Sequence, residues 1–368
     1  MAVDTRLPTG GRLGQITGVT MSRRSTLQRL DPIGSWGGLH AVSRLVYTTP
    51  GPDGTSVTAT GLVCLPDGPA PAEGWRVVAW THGTSGLSEH CGLTGSPDLE
   101  AGTGEVIGRL NAAGYAVVAP DYLGLGPGTI GPHPYLHTDT ESTATIDAVC
   151  AARMGIGELS QHWAVAGQSQ GGHAALAAGH RAATYAPDLI FHGTAALAPA
   201  SNIEHVFAMA RPQMPSIPGF PVGSLLAVLT GMTATPTKVD VRSYLTPVGQ
   251  RISNEMTGVC SGARPQLVAG VSTGSVVAKP LGDSDFRRSL AEYMAVPTGG
   301  YGAPVLIVHG WKDSRVPLPL TLRLLRQFRR AGTRFEFHAV NAGHDDVRDG
   351  AGLMYLLAFL HRILPAQG

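Results

Sequence analysis

Charge is scarce in this sequence, and the two signs almost cancel. Only 14% of the 368 residues are charged, and 27 Lys+Arg against 26 Asp+Glu give a net charge of +1. A chain so nearly neutral has no strong field to attract polyanions, so we expect no nucleic-acid partner. The hydrophobic fraction of 43% indicates a folded globular protein, either one large domain with an insertion or two domains.

Long apolar runs are also missing. No stretch reaches the about 18 apolar residues of a membrane-spanning helix, so we expect no integral membrane segment. Residues 1–30 lack the apolar centre of a secretory signal, which indicates either a cytoplasmic protein or one whose signal has been removed. We expect residues 1–30 to be a loosely held tail.

Cysteine is equally rare. Cys64, Cys91, Cys150 and Cys260 are scattered and form no C-x-x-C pair, which excludes a disulfide scaffold and gives no sign of a metal site. Cys64 and Cys150 lie in apolar segments and are expected to be buried thiols. Cys91 and Cys260 lie in loops rich in glycine and serine, where they could form a bridge.

Short apolar segments alternate with helical ones over most of the chain. Residues 41–49 and 56–66 flank the turn PGPDG and predict an antiparallel hairpin. Six further strands are predicted at 76–83, 115–124, 162–169, 190–199, 304–313 and 334–344. Helices are predicted at 103–113, 139–154, 170–185, 317–331 and 349–363. This alternation predicts an α/β fold with a mostly parallel sheet flanked by helices on both faces.

The alternation stops between about Ser201 and Val296. This segment of about 95 residues is irregular, rich in proline and glycine, and contains helical pieces. It is far longer than an ordinary connection of about 4–6 residues. We interpret residues 201–296 as an inserted, mainly helical cap between two parts of one core, residues 31–200 and 297–368. A second, independent domain is the alternative.

The stretch HWAVAGQSQGGHAAL contains the sequence Gly-x-Ser-x-Gly around Ser169. Ser169 falls where a predicted strand meets a predicted helix, which is the context of a nucleophile elbow. Gly167 and Gly171 leave room for the sharp turn that such an elbow requires. We interpret Ser169 as a catalytic nucleophile; a serine that merely caps the helix is the alternative.

A serine hydroxyl is a weak nucleophile, so an acid and a base are required as well. In enzymes with a nucleophile elbow these residues follow the serine, each on a loop after a later strand. Asp313 closes the predicted strand 304–313, and His344 follows the last predicted strand in the loop NAGHDD. We predict Asp313 as the acid and His344 as the base. The rival acids are Asp345 and Asp346 beside His344, and Asp283 and Asp285 in the cap.

Acyl transfer also needs hydrogen-bond donors for the developing oxyanion. The main-chain N–H of Gln170, directly after the nucleophile, is the first predicted donor. The second is predicted in the loop WTHGTSG after the strand 76–83, at Thr84, with Gly83 as the alternate. An ordinary glycine-rich turn is the alternative for this loop.

Three further residues are predicted to border the substrate pocket. His82 lies in the same loop and is expected to brace it rather than act as a base. Asp121 and Tyr122 follow the predicted strand 115–124 at its carboxyl end, where they would shape the acyl or alcohol side. A purely structural turn is the alternative for these two residues.

Several motifs, taken in order, resemble those of the secretory lipase family of α/β-hydrolases. They are THGTSG, VVAPDYLGLG, HPYLH, AGQSQGGHAAL, VLIVHGWKDSRVP and NAGH, and the resemblance covers most of residues 40–365. It implies an α/β-hydrolase core with an inserted helical lid, hydrolysis of carboxylic esters and no cofactor. By position, Ser169, Asp313 and His344 match the family triad. The resemblance also implies a disulfide between Cys91 and Cys260 that tethers the lid, and a secreted protein.

These observations together predict a carboxylesterase or lipase that acts on a small-molecule or lipid-like ester through an acyl-enzyme. A serine peptidase or amidase on the same fold is one alternative, although no anchor for a substrate amine is evident. A non-catalytic ligand-binding homologue is the other. The presence of Ser, Asp and His in the expected order argues against it.

Overall fold

A computed structural model describes residues 25–366 of the chain, except residues 98, 100, 101 and 130. The strands are β1 (Leu27–Trp36), β2 (Leu39–Pro50), β3 (Ser56–Cys64), β4 (Trp75–Thr81), β5 (Ala116–Pro120), β6 (Leu159–Gln168), β7 (Ile190–Leu197), β8 (Val305–Gly310) and β9 (Phe335–Val340). The helices are α1 (Thr103–Ala112), α2 (Thr138–Gly155), α3 (Gln170–Tyr185), α4 (Ile203–Phe207), α5 (Val222–Thr233), α6 (Pro247–Met256), α7 (Arg264–Leu267), α8 (Thr273–Val276), α9 (Ser284–Met294), α10 (Leu318–Ala331) and α11 (Gly350–Ile363).

The strands form one mixed sheet in the order β1-β2-β3-β5-β4-β6-β7-β8-β9. Strands β1 to β3 run antiparallel to their neighbours, and β3 also pairs antiparallel with β5. From β5 to β9 every pairing is parallel. The predicted hairpin corresponds to β2 and β3. The mostly parallel sheet is therefore confirmed.

Both faces of the sheet are covered by helices. In β4, Val78 and Trp80 point into a core shared with α1 and α11, whereas Val77 and Ala79 point into a core shared with α2 and α3. All four side chains are buried. A strand buried on both faces reads as a continuous apolar run, which is why these strands were visible in the sequence.

The prediction of a loosely held tail over residues 1–30 is wrong for its last residues. Residues 1–24 lie outside the described part of the chain, but Leu27 to Leu30 belong to β1. The register between β1 and β2 shifts at several points, so the apolar residues of β1 do not alternate with a period of two. Leu27 and Leu30 nevertheless pack against the core.

Residues 201–296, called the helical insertion from here on, connect β7 to β8. They contain α4 to α9 and no strand of the sheet. Their apolar side chains form a cluster of their own that also includes Leu87 and Tyr135 from the core.

A disulfide joins the helical insertion to the loop after β4. It links Cys91 to Cys260, which are 169 residues apart in sequence. Beside it, the main-chain N–H of Ser261 donates to the carbonyl of Ser85 at 2.7 Å. Cys64 is a buried free thiol, and Cys150 is a half-buried one.

The double substitution Cys91→Ala/Cys260→Ala should lower the free energy of unfolding by about 2–5 kcal/mol, because the disulfide closes a long loop in the unfolded chain. Urea denaturation of oxidised protein measures the change. Cys150→Ala is the control, since Cys150 has no disulfide partner. A double variant that unfolds at the same urea concentration as the parent would contradict this role.

Candidate active site

Ser169 lies in a sharp turn between β6 and α3. Its main chain has φ 60° and ψ −117°, a conformation that non-glycine residues rarely adopt. A Cβ atom on Gly171 would lie 1.8 Å from the carbonyl oxygen of Thr81, and one on Gly167 would lie 2.0 Å from the Thr81 hydroxyl. The two glycines are therefore required by the close approach of β4. The Ser169 side chain makes no capping hydrogen bond to α3, so the capping alternative fails.

The structure brings Ser169, His344 and Asp313 into one hydrogen-bonded chain. Nε2 of His344 is 2.8 Å from Oγ of Ser169, and Nδ1 of His344 is 2.6 Å from Oδ2 of Asp313. Because a carboxylate only accepts, Nδ1 carries the proton, and in the neutral ring Nε2 accepts from the serine hydroxyl. This arrangement can take up the proton of Ser169 when its oxygen attacks.

Asp313 is held by the loop that follows β8. Its Oδ1 accepts hydrogen bonds from the main-chain N–H groups of Arg315 and Val316, at 2.9 and 2.8 Å. Burial alone would raise the pKa of Asp313, but hydrogen bonds from His309, His344 and the main chain outweigh burial and lower it. Asp313 is therefore an anion throughout the neutral pH range.

The rival acids have other partners. Asp345 pairs with the guanidinium of Arg315 at 2.8 Å. Asp346 accepts a main-chain hydrogen bond within its own loop, and Asp283 caps the start of α9. None of these three pairs with His344.

The His344 loop is fixed by two residues that the sequence analysis missed. Nε2 of Gln168 donates to the carbonyl of His344 at 2.8 Å, and Nη1 of Arg348 donates to Oε1 of Gln168 at 3.3 Å. Both side chains are buried. Gln168 directly precedes Ser169, so one segment positions the nucleophile and the base together.

The two predicted oxyanion segments flank Ser169. Gln170 is the first residue of α3, so its main-chain N–H has no acceptor within the helix. Gly83 and Thr84 line the same cavity as Ser169 and His344. The Thr84 hydroxyl is hydrogen-bonded to the hydroxyl of Tyr135 at 2.9 Å.

The three predicted pocket residues lie in the protein interior and not at the cavity that contains Ser169. His82, Asp121 and Tyr122 are fully buried and do not border the cavity. The Tyr122 hydroxyl donates to the carbonyl of His82 at 2.9 Å, and Asp121 binds the hydroxyls of Thr60 and Thr94. For Asp121 and Tyr122 this position agrees with the structural alternative and not with a pocket role. His82, whose Nδ1 is 2.6 Å from the carbonyl of Gly83, is placed to brace its loop, as expected, but does not border the cavity.

The cavity in front of Ser169 has a volume of about 850 Å³. Much of its apolar wall comes from the helical insertion: Ile203, Ile217, Phe220, Val222, Val268 and Val271. Three arginines, Arg264, Arg315 and Arg348, also border it.

A buried polar network lies behind Ser169. Nδ1 of His173 is 2.6 Å from Oε2 of Glu141, and Nε2 of His173 is 2.9 Å from the carbonyl of Met294. Both ring nitrogens face acceptors, so His173 is an imidazolium. Burial opposes this charge, but the Glu141 carboxylate more than compensates and raises the pKa of His173. Nε2 of Gln170 donates to the other oxygen of Glu141 at 2.8 Å.

The network thereby connects α2, α3 and the end of the helical insertion. No pairing between Glu141 and His173 was predicted from the sequence. The two residues are 32 positions apart on separate helices. The helix patterns predicted both helices but could not indicate that these two side chains meet.

The described residues contain no group of three or more His, Cys, Asp or Glu side chains arranged to hold a metal ion. In the same part of the chain, every helix is too short or too polar to cross a membrane.

The sheet order, the elbow at Ser169 and the loops after β8 and β9 define an α/β-hydrolase. The model of the family described as secretory lipase matches residues 103–347, about two thirds of the sequence, and the chain belongs to this family. It is accordingly a carboxylic ester hydrolase. No curated protein sequence matches the chain.

Solved structures share the fold at low sequence identity. A putative hydrolase from Legionella pneumophila is 19% identical with a TM-score of 0.75, covering 93% of this chain and 99% of its own. The rice cell wall degrading esterase LipA from Xanthomonas oryzae is 20% identical with a TM-score of 0.71, covering 92% and 97%. Candida antarctica lipase A is 21% identical with a TM-score of 0.70, covering 87% and 77%.

Glu141→Gln should lower the free energy of unfolding by about 3–5 kcal/mol, because it leaves the buried imidazolium of His173 unpaired. The raised pKa of His173 means that the pair stabilises the fold fully below the unfolded pKa of about 6.5. This stabilisation is lost as the pH rises through the folded pKa. The difference between parent and variant should therefore shrink at alkaline pH.

Urea denaturation of both proteins at pH 6 and pH 9 measures this difference. Glu158→Gln, at an exposed position, makes the same chemical change without touching the network. Equal stabilities of the parent and Glu141→Gln at pH 6 would refute the ion pair.

Proposed function

We propose that the chain hydrolyses carboxylic esters with Ser169 as nucleophile, His344 as general base and acid, and Asp313 as the orienting acid. The hydrogen-bonded chain from Ser169 through His344 to Asp313 carries this proposal. Its members come from three separate segments, and an arrangement of this kind recurs in serine hydrolases because it combines a nucleophile, a group that takes up and returns the proton, and an anion that orients that group.

The first half of the reaction forms an acyl-enzyme. Oγ of Ser169 attacks the ester carbonyl carbon while Nε2 of His344 takes its proton, and Asp313 stabilises the resulting imidazolium. The tetrahedral intermediate then expels the alcohol oxygen, which receives the proton from Nε2. In the second half, water attacks the acyl-enzyme by the same route and releases the carboxylic acid.

The negative charge of the tetrahedral intermediate would be bound by the main-chain N–H groups of Gln170 and Thr84, with Gly83 as the alternate donor. The placement of Gly83 and Thr84 in the wall around Ser169 supports this role. Main-chain donors held by a strand end and a helix start need no reorganisation during the reaction.

The helical insertion would act as a lid over the ester. It supplies the apolar wall of the cavity opposite the sheet, from residues such as Ile217 and Phe220. An apolar roof excludes water and accepts the apolar parts of an ester or lipid-like substrate.

Ser169→Ala should reduce kcat/KM for p-nitrophenyl butyrate by at least about 10³-fold, because no other group can form the acyl-enzyme. Ser216→Ala is the matched control, since Ser216 is an exposed serine at the same cavity. A fluorophosphonate should label the parent but not Ser169→Ala. Retention of most of the activity in Ser169→Ala would refute the mechanism.

Asp313→Asn should reduce kcat by about 10⁴-fold, because an amide can donate to Nδ1 and stabilise the wrong tautomer of His344. Asp345→Asn tests the neighbouring rival acid, which pairs with Arg315 instead. Steady-state kinetics on one ester separates the two acids. A loss in Asp345→Asn as large as that in Asp313→Asn would contradict the assignment.

A further inference from the structure

Arg264 is a buried cation at the active-site cavity. It is the first residue of α7 in the helical insertion, its side chain borders the cavity with Ser169 and Thr84, and the residue is only 8% exposed. Its Nη2 is buried and has no hydrogen-bond partner in the described part of the chain. A guanidinium stays charged in a protein and has five N–H donors, so this position leaves donors unsatisfied.

The other two arginines of the cavity have partners. Arg315 makes a two-point contact with the carboxylate of Asp345, at 2.9 and 2.8 Å. Arg348 donates to Oε1 of Gln168. Within the described ranges no carboxylate pairs with Arg264, so it differs from Arg315. Arg348 also has no carboxylate partner there and its Nε is unpartnered, but its Nη1 is bound to Gln168. The guanidinium of Arg264, in contrast, is bound only to Tyr135 among the described residues.

The surroundings of Arg264 compensate for its charge only in part. Its Cζ lies 5.7 Å from the ring centre of Tyr135, a cation–π distance. Burial lowers the pKa of Arg264, and Tyr135 opposes this effect. Tyr135 also accepts a side-chain hydrogen bond from the guanidinium, but Nη2 is left without an acceptor, so an anion would still find a free donor there.

The position of Arg264 connects it to the reacting end of the cavity. Tyr135, over which the guanidinium lies, is hydrogen-bonded to the hydroxyl of Thr84. Thr84 is the residue proposed to donate its main-chain N–H to the oxyanion. A group bound by Arg264 would therefore lie in the same cavity as the ester being cleaved.

We propose that Arg264 binds a carboxylate carried by the ester substrate, so that the preferred substrates are esters with a free acid group. This inference rests on the proposed function, since it assigns a substrate class to the same site. A guanidinium and a carboxylate match in geometry and form two parallel charge-assisted hydrogen bonds. A neutral ester of the same size would leave the buried cation unpaired, at a cost that lowers its relative affinity.

Two pairs of esters test the proposal, one for each side of the ester bond. On the acyl side, mono-p-nitrophenyl adipate is compared with p-nitrophenyl hexanoate. On the alcohol side, 4-acetoxybenzoate is compared with 4-acetoxybenzamide. For each pair the measured quantity is the ratio of kcat/KM for the anionic ester to that for the neutral one, at pH 7 with uncatalysed hydrolysis subtracted.

In the parent, at least one pair should show a ratio above one, and Arg264→Gln should lower that ratio by about 10- to 100-fold. Arg264→Lys, which keeps the charge but loses the fork, should recover part of the ratio. Arg251→Gln removes an equal charge from an exposed position on the helical insertion and should leave the ratio unchanged. The effect is thus separated from a change in net charge.

The outcomes also separate this inference from the proposed function. If the parent hydrolyses the neutral esters through Ser169 but favours neither anionic ester, the carboxylate proposal is overturned and the esterase mechanism stands. Equal effects of Arg264→Gln on both members of each pair also overturn it. If no ester is cleaved in a Ser169-dependent way, the proposed mechanism itself fails.

Discussion

The turn at Ser169 is the constraint on which the rest of the site depends. Its positive-φ conformation costs a serine about 1–3 kcal/mol, so the surrounding structure must hold it. The N–H of Ser169 donates to the carbonyl of Leu197 at the end of β7, and its carbonyl accepts from the N–H of Ala200. Close packing of β4 against the flanking glycines completes the support. The direction of the hydroxyl is therefore determined by the sheet and not by its contact with His344.

The carboxyl ends of the parallel strands bring distant parts of the chain together. Strands β6 to β9 run parallel, so their carboxyl ends lie on the same side of the sheet. The loops that follow β6, β8 and β9 therefore meet there. The connection from β7 to β8 also starts at the carboxyl end of its strand, which is why the helical insertion lies over the serine. Gln168 at the end of β6 then binds the carbonyl of His344 beyond β9. Sheet order and the side chains of Gln168, Arg348 and Asp313 together align the nucleophile with its base.

Much of this arrangement could be predicted from the sequence, because each part has a local signal. The doubly buried strands appear as apolar runs, and Asp313 and His344 each follow such a run. The helices α1, α2, α3, α10 and α11 begin and end within one residue of their predicted positions. Strand β1 was missed because its bulges break the alternation. Asp121 and Tyr122 do not border the cavity, and Tyr122 adopts φ 65°, a main-chain conformation that no local sequence pattern indicates.

Two sets of buried charged groups were not predicted from the sequence. One set stabilises the fold, and the other is proposed to bind the substrate. Glu141 and His173 lie behind the elbow and neutralise each other, so their burial is compensated within the chain and serves to join α2, α3 and the helical insertion. Arg264 lies in front of the elbow and has no such partner in the described residues. Burying this charge without a carboxylate partner is unfavourable, and the chain as a whole has few charged residues. A buried charge that the protein compensates only in part at its reaction cavity fits the proposal that the entering molecule carries the opposite charge.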